Sequence, residues 1–314
     1  MCALNIKELT KKASPLTQGH RMCPGCGAPT AIRQALMGVD DPVVVVSATG
    51  CMEVSTTVYP YSYPYSSWRM PFMHIAFENA GAGISGIEAA YKVLRKRGRI
   101  DKDIKFVAFG GDGGTYDIGL QSLSGALERG HDFTYICYNN QGYMNTGAQR
   151  SSATPQSANA TTSPAGSAVP GKLQRAKDLT EIVAAHDIPY VAQTSLHNPF
   201  DLIAKVKRAV ETPGPAFVNV LVPCPLFWKI DPANQMEICQ LAVDSKFWPV
   251  YEVANGEYSL SYEPKNPRRL EDFLRAQGRY AHLFKKGAER LDLVEAAQRD
   301  ADESWARLLK KCGR

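Results

Sequence analysis

Cys23 and Cys26 form a C-x-x-C pair on a Pro/Gly turn, Met22-Cys23-Pro24-Gly25-Cys26-Gly27, a geometry that can aim both sulfurs at one centre. Three centres suit such a pair: a redox disulfide, a zinc ion or an iron–sulfur cluster. A thioredoxin-like dithiol sits at a helix start behind a strand, and no strand pattern precedes this turn. A structural zinc draws on a second close pair, and no second C-x-x-C occurs. Further along, the apolar run Ile104 to Phe109 enters Gly110-Gly111-Asp112-Gly113-Gly114 directly. Glycines such as Gly111 and Gly113 let backbone N–H groups approach phosphate oxygens, and the helix that follows favours negative charge. Asp112 would repel a bare pyrophosphate, so the loop calls for a hard cation such as Mg²⁺ between them. The next apolar run ends in Asn139-Asn140-Gln141-Gly142-Tyr143-Met144-Asn145-Thr146-Gly147, where Asn140 can share that metal with Asp112. Read singly, each piece is a tight turn; on successive strands they make a site. A nucleotide-binding loop competes, but this loop is not Gly-x-Gly-x-x-Gly, and no Walker Gly-Lys-Ser/Thr occurs in the chain.

These residues need elements to hold them. Apolar, β-branched runs at Val43 to Ala48, Ile104 to Phe109, Phe133 to Tyr138, Tyr190 to Gln193 and Ala216 to Val222 read as strands. Between them, Thr30 to Leu36, Gly83 to Arg97, Ile118 to Glu128, Leu179 to His186 and Pro199 to Val210 read as helices. The alternation predicts an α/β fold, a doubly wound and mostly parallel sheet with its functional loops at the carboxyl ends of the strands. We divide the chain into an N-terminal segment at 1–27 carrying the C-x-x-C, an α/β domain at 28–230 and a C-terminal extension at 231–314 for subunit contacts. Arg268 to Phe284 and Ala288 to Leu309 are expected as helices on another surface. Val58 to Pro71 reads as a loop containing a tandem Tyr-Pro-Tyr-Ser. Gln149 to Gly171 is a second loop, long enough to be either functional or flexible.

Composition excludes several classes. Hydrophobic residues are 44% and charged residues 21% of 314, with a mean hydropathy of −0.25, which is a globular profile. The net charge of +5 is too small and too scattered to point to nucleic acid. No run approaches the roughly 18 apolar residues of a membrane span, and the start MCALNIKELTKKA has no secretory apolar core, so a cytoplasmic protein is expected. Eight cysteines in a reducing compartment are thiols or metal ligands rather than disulfides. Cys51 follows the first strand and Cys224 the last, both at the carboxyl edge; with Cys23 and Cys26 they would complete a 4Fe–4S site. Cys137 lies inside a strand, and Cys2, Cys239 and Cys312 lie in terminal or helical segments, so these four read as free thiols.

The pairing of Gly-Asp-Gly with a later Asn resembles the thiamine pyrophosphate signature, which implies Mg²⁺ on Asp112, Asn140 and the carbonyl of Gly142. Together with GHRMCPGCGAP, ATGCMEVSTTVYPY, FENAGAGISG, FGGDGGTYDIGLQSLSGALERGH, GYMNTGAQRS and PCPLFW, the whole chain is similar to β subunits of pyruvate:ferredoxin oxidoreductase and its 2-oxoacid relatives. The resemblance implies thiamine pyrophosphate, Mg²⁺ and one proximal 4Fe–4S cluster, with Gly50, Cys51, Tyr143 and Thr146 lining the thiamine site. It implies oxidative decarboxylation, with single electrons leaving through the cluster and coenzyme A taking the acyl group when there is one. Asn145 is the candidate for hydrogen-bonding substrate beside the reacting carbon; its competing role is a turn amide. His74 is expected to be a structural histidine near the core, since nothing in the sequence pairs it with a carboxylate.

Thiamine also needs a carboxylate at its aminopyrimidine ring, which the resemblance places on an α subunit, and no ferredoxin-type cysteine run occurs here. An α subunit, a subunit or domain with ferredoxin-type clusters, and ferredoxin are therefore expected partners, with no nucleic acid or membrane. Pyruvate and oxalate stand level as substrates. The duplicated Tyr-Pro-Tyr-Ser and Ala148, where the family often has Gly or Asn, are departures from the pyruvate pattern, and Arg69 can supply a cation for a second carboxylate. The competing class is a non-enzymatic zinc or iron–sulfur scaffold with a merely structural Gly-Asp-Gly loop.

Overall fold

The run Val43-Val44-Val45-Val46 pairs in parallel on both of its edges, and one sheet grows outward from it. In the computed structural model, which describes residues 6–17, 19–57 and 66–314, the strands are β1 Val43–Ala48, β2 Phe72–Ile75, β3 Lys105–Gly111, β4 Thr134–Asn139, β5 Tyr190–Ser195, β6 Ala216–Leu221, β7 Tyr251–Ala254 and β8 Glu257–Leu260. Their order is β2-β1-β3-β4-β6-β5-β7-β8. Strands β1 to β6 pair in parallel, and β7 and β8 add an antiparallel edge.

Alternate residues along these strands enter two separate cores. Val45, Val107, Phe109 and Val218 pack under the helices Gly27–Met37 and Pro199–Glu211. Val46, Ala108, Cys137 and Phe217 pack under Ala80–Lys96 and Leu120–Glu128. Both faces are buried, which is why the strands are near-continuous apolar runs and why the doubly wound expectation holds. A Gly-x-Gly-x-x-Gly does occur at Gly81, Gly83 and Gly86, but within the Ala80–Lys96 helix, where a Cβ on Gly81 would lie 2.8 Å from Ser122 O. It serves helix packing there.

The five expected strands are present. Phe72–Ile75, β7 and β8 were not foreseen, because each is only four residues long and lies on or near a sheet edge, too short to show an apolar period. The expected helix from Ile118 begins instead as a wide π-type turn at Gly113–Ile118 before Leu120–Glu128. The extension also differs from the expectation, with an unforeseen helix at Gln235–Asp244. Its hairpin Tyr251–Leu260 joins the sheet, and Arg268 to Phe284 holds a short helix, Leu270–Arg275, and the 3₁₀ turn Gly278–Phe284. The final helix, Leu291–Lys311, is as expected. These segments close a third core around Phe227, Trp228, Phe273 and Tyr280. No helix among the described residues is long and apolar enough to cross a membrane.

The π-type turn is tied to the sheet by a buried polar knot: Asn139 and Asn219 each donate an Nδ2–H to Tyr116 Oη at 2.8 Å. Tyr116→Phe leaves the buried Asn139 amide without its acceptor, while Asn219 keeps its bond to Thr180 Oγ1 at 3.0 Å, and is expected to destabilise the fold by about 1–3 kcal/mol. Thermal denaturation measures this, and an unchanged Tm would show that the knot contributes nothing.

Candidate active site

Strands β1, β3, β4 and β6 are parallel neighbours, so the loops that follow them meet on one edge of the sheet. The chain leaves β1 for β2 on one side and returns to β3 on the other, which opens a crevice between the loops after β1 and β3. A cavity of about 250 Å³ occupies that crevice. Gly50 and Cys51 reach it from β1, Gly111, Asp112 and Gly113 from β3, and Asn140, Gly142, Tyr143, Asn145 and Thr146 from β4. All ten residues expected around a cofactor therefore line one cavity. Thr49, Phe77, Gly114, Tyr138 and Met144 line it too; they are ordinary strand-end or loop residues with no spacing signal of their own.

Asp112 is fully buried. Its Oδ2 accepts from Ser151 Oγ at 2.5 Å and its Oδ1 from the Asn140 N–H at 3.1 Å. Burial nevertheless pushes the carboxyl up to about 7, against the pull of those two bonds. A carboxylate so placed needs a cation, and the neighbouring donors are oxygens: Asn140 Oδ1, which accepts from the Gly142 N–H at 3.2 Å and keeps a second lone pair, and the Gly142 carbonyl. This donor set fits Mg²⁺. Asn140 is anchored from behind by Trp228 Nε1–H, which donates to its carbonyl at 2.8 Å. Tyr143 closes the loop by packing on Gly113, where a Cβ would lie 2.5 Å from the ring, and its Oη donates to Asp117 at 2.8 Å.

The four expected cysteines come from four places in the chain. Cys26 is the N-cap of Gly27–Met37, Cys51 opens the Cys51–Thr57 helix, and Cys224 caps the Pro225–Trp228 turn. Cys23 accepts the Cys26 N–H at 3.0 Å across a turn whose Gly25 has φ +69°. Any Cβ on Gly25 would lie 2.4 Å from Pro232 Cβ. Burial pushes the Cys51 thiol up to about 12, and the charges of Cys224, Cys26 and Cys23 push the same way. Cys26 rises to about 11, chiefly through burial, with Cys224 and Cys23 adding to it. Cys224 is raised by burial and relieved by the N–H groups of Phe227 and Leu226. Cys26, Cys51 and Cys224, whose ionisation burial disfavours, suit a metal centre whose charge deprotonates them. Among the described residues, no three His, Cys, Asp or Glu side chains converge as ligands of a single ion. Cys137 and Cys239 are buried elsewhere and Cys312 lies near the C-terminus; Cys2 lies outside the described residues.

Several expectations need correction. His74 is not a core residue: it is half exposed, its Nε2 meets Thr49 Oγ1 at 2.7 Å, and its Nδ1 faces the Glu53 carboxylate at 3.7 Å. Sequence distance hid that partner, 21 residues away across the β1–β2 pairing. Arg69 is exposed, and the tandem Tyr-Pro-Tyr-Ser lies almost wholly outside the described residues. Ala148 has φ +64°, the left-handed region that favours Gly or Asn, so its departure from the family pattern carries backbone strain. The Gln149 to Gly171 loop is packed rather than loose: Ser151, Thr154 and Ala158 are buried, and Ser151 completes the Asp112 hydrogen bonds.

Residues 48–220 match the family described as "Thiamine pyrophosphate enzyme, C-terminal TPP binding domain". Over 98% of this chain and 96% of the relative, the sequence is 48% identical to pyruvate synthase subunit PorB of Thermotoga maritima. The chain belongs to the PorB family of thiamine pyrophosphate enzymes. PorB of Methanocaldococcus jannaschii is 50% identical over 87% of this chain and 91% of its own. The ketoisovalerate oxidoreductase subunit VorB of Pyrococcus horikoshii is 41% identical over 93% and 91%. The fold is shared with a 2-oxoglutarate:ferredoxin oxidoreductase from Magnetococcus marinus, at a TM-score of 0.55 and 23% identity over 73% of this chain and 81% of that one. As a PorB-family member the chain is an enzyme subunit of the 2-oxoacid oxidoreductases, as its motifs led us to expect, and not a scaffold.

Asp112→Asn removes a buried charge; its amide oxygen can still accept from the Asn140 N–H, while the Ser151 bond must reverse so that the amide NH₂ donates to Ser151 Oγ. In cofactor-free protein it is expected to raise stability, by about 1–3 kcal/mol. A lower Tm for that variant than for the unsubstituted protein would refute the unpaired charge.

Proposed function

We propose that this chain holds thiamine pyrophosphate through Mg²⁺, together with one 4Fe–4S cluster, in a cytoplasmic pyruvate:ferredoxin oxidoreductase. The observation that carries the reading is the position of Cys51: it lines the Asp112 cavity at the strand edge that also carries Cys224, and the Gly27 N–H donates to the Pro223 carbonyl at 3.3 Å, which brings the segments of Cys26 and Cys224 together. A cofactor in that cavity would lie against a ligand of the cluster.

In this reading Asp112, Asn140 and the Gly142 carbonyl hold the cation, and the Gly111–Gly113 backbone approaches the pyrophosphate. When bound, thiamine pyrophosphate would supply a carbon nucleophile for the 2-oxo carbonyl, and a cluster held by the cysteines would supply a one-electron acceptor. Gly50, Tyr143 and Thr146 shape the cavity, Asn145 hydrogen-bonds the substrate, and Cys23, Cys26, Cys51 and Cys224 hold the cluster. An α subunit completes the thiamine site, a further subunit or domain carries electrons to ferredoxin, and coenzyme A takes the acetyl group. Pyruvate is preferred over oxalate because the curated relatives include several pyruvate synthase subunits, whereas Arg69, the cation considered for a second carboxylate, is exposed.

Two experiments test this. The anaerobically purified complex should carry about four irons per copy of this chain beyond those of its partners. Cys51→Ser or Cys224→Ser should abolish or alter one paramagnetic cluster signal, while Cys239→Ser leaves it intact; equal effects of Cys224 and Cys239 would sink the ligand assignment. In the second, the complex should reduce a viologen dye with pyruvate and coenzyme A. Turnover of oxalate without coenzyme A, and none of pyruvate, would reverse the substrate assignment.

A further inference from the structure

After Trp228, Arg279 is the bulkiest fully buried side chain among the described residues, with 0% of its surface exposed. Burying a guanidinium is costly unless a negative charge lies nearby. Its polar partners here are neutral amides: Nε donates to Gln277 Oε1 at 2.9 Å and Nη2 to Gln141 Oε1 at 2.5 Å, while Nη1 has no hydrogen-bond partner. The guanidinium also lies over the rings of Trp228 at 4.4 Å and Phe227 at 5.3 Å. Among the described residues it forms no carboxylate ion pair, so negative charge close by is needed to offset the cost of its burial.

Its surroundings say where. Phe227 and Trp228 belong to the turn capped by Cys224. Gln141 stands between Asn140 and Gly142 with φ +67°, a strained position pinned by Arg279 and by Thr154 Oγ1–H, which donates to the Gln141 carbonyl at 2.5 Å. Arg279 thus braces the backs of both loops that carry candidate ligands. Burial lowers its pKa to about 10, and the groups that oppose this are Tyr280, Cys224 and Asp112.

We infer that Arg279 is the internal counter-charge of the centre bound by Cys23, Cys26, Cys51 and Cys224, and that it raises the reduction potential of that centre. The inference rests on the cluster reading given above. One-electron reduction adds a negative charge to a cluster already made anionic by its thiolates, and a fixed cation behind Cys224 favours the more negative state. Arg279 acts through space and through the Gln141 turn, so it is a positioning and charge-compensating residue rather than a catalytic one.

The test is a redox titration of the intact, anaerobically purified complex, following the paramagnetic signal that Cys51→Ser removes. Arg279→Gln is expected to make the cluster about tenfold harder to reduce, which for one electron is about 59 mV more negative. Arg279→Lys keeps the charge and should shift the potential less. Gln141→Glu sets a carboxylate on Nη2 while leaving Arg279 packed in place, should shift the potential in the same negative direction, and decides the matter if Arg279→Gln does not assemble. A normal cluster whose potential is unmoved in Arg279→Gln, or in Gln141→Glu where that variant decides, overturns the role of Arg279 alone. An unsubstituted complex with no Cys51-dependent signal overturns the cluster reading and this inference with it.

Discussion

Parallel hydrogen bonding among β1, β3, β4 and β6 is the constraint on which the rest depends. A parallel sheet sends every carboxyl end to the same edge, so Gly50-Cys51, Asp112, Asn140 and Cys224 become neighbours although they are spread along the chain. The register Gly111↔Tyr138 and Asn139↔Leu221 sets them at one level. Slipping one strand by a residue would exchange the two cores and turn the site residues away from one another.

The same edge concentrates groups that are unfavourable in isolation. Asp112 is a fully buried carboxyl, burial opposes the ionisation of Cys26, Cys51 and Cys224, and Arg279 is a buried cation held by amides and aromatic rings. Each departs from the rule that buried charges are paired. Together their signs are complementary to the set of groups proposed to bind: a divalent cation facing Asp112, and an anionic cluster with Arg279 behind it. Sites that violate local rules in this way are where a fold gives up stability for chemistry.

Support for the site arrives from distant segments. Ser151, in the long loop after β4, donates to Asp112; Trp228, just after Cys224, donates to Asn140; Arg279, in the C-terminal segment, donates to Gln141. The C-terminal segment is therefore part of the site's outer wall as well as the source of the β7–β8 edge. Because these bonds cross from one segment to another, the loops after β3 and β4 are held by side chains that local turn propensity does not reveal.

Much of this was legible in the residues themselves. The five central strands and the placement of the Asp112 and Asn140 loops at one sheet edge follow from local patterns, because both-face burial, tight turns and strand-end position leave marks in adjacent residues. The carboxylate beside His74, the Ser151 bond to Asp112, the antiparallel hairpin at the sheet edge and the burial of Arg279 were decided by the tertiary structure. Each depends on contacts between residues far apart in sequence, or on an edge strand too short to show an apolar period, and no local pattern encodes which distant side chain completes a buried group's hydrogen bonds. The sequence by itself determined which chemistry the edge can hold; only the folded chain decided which distant side chains tune it.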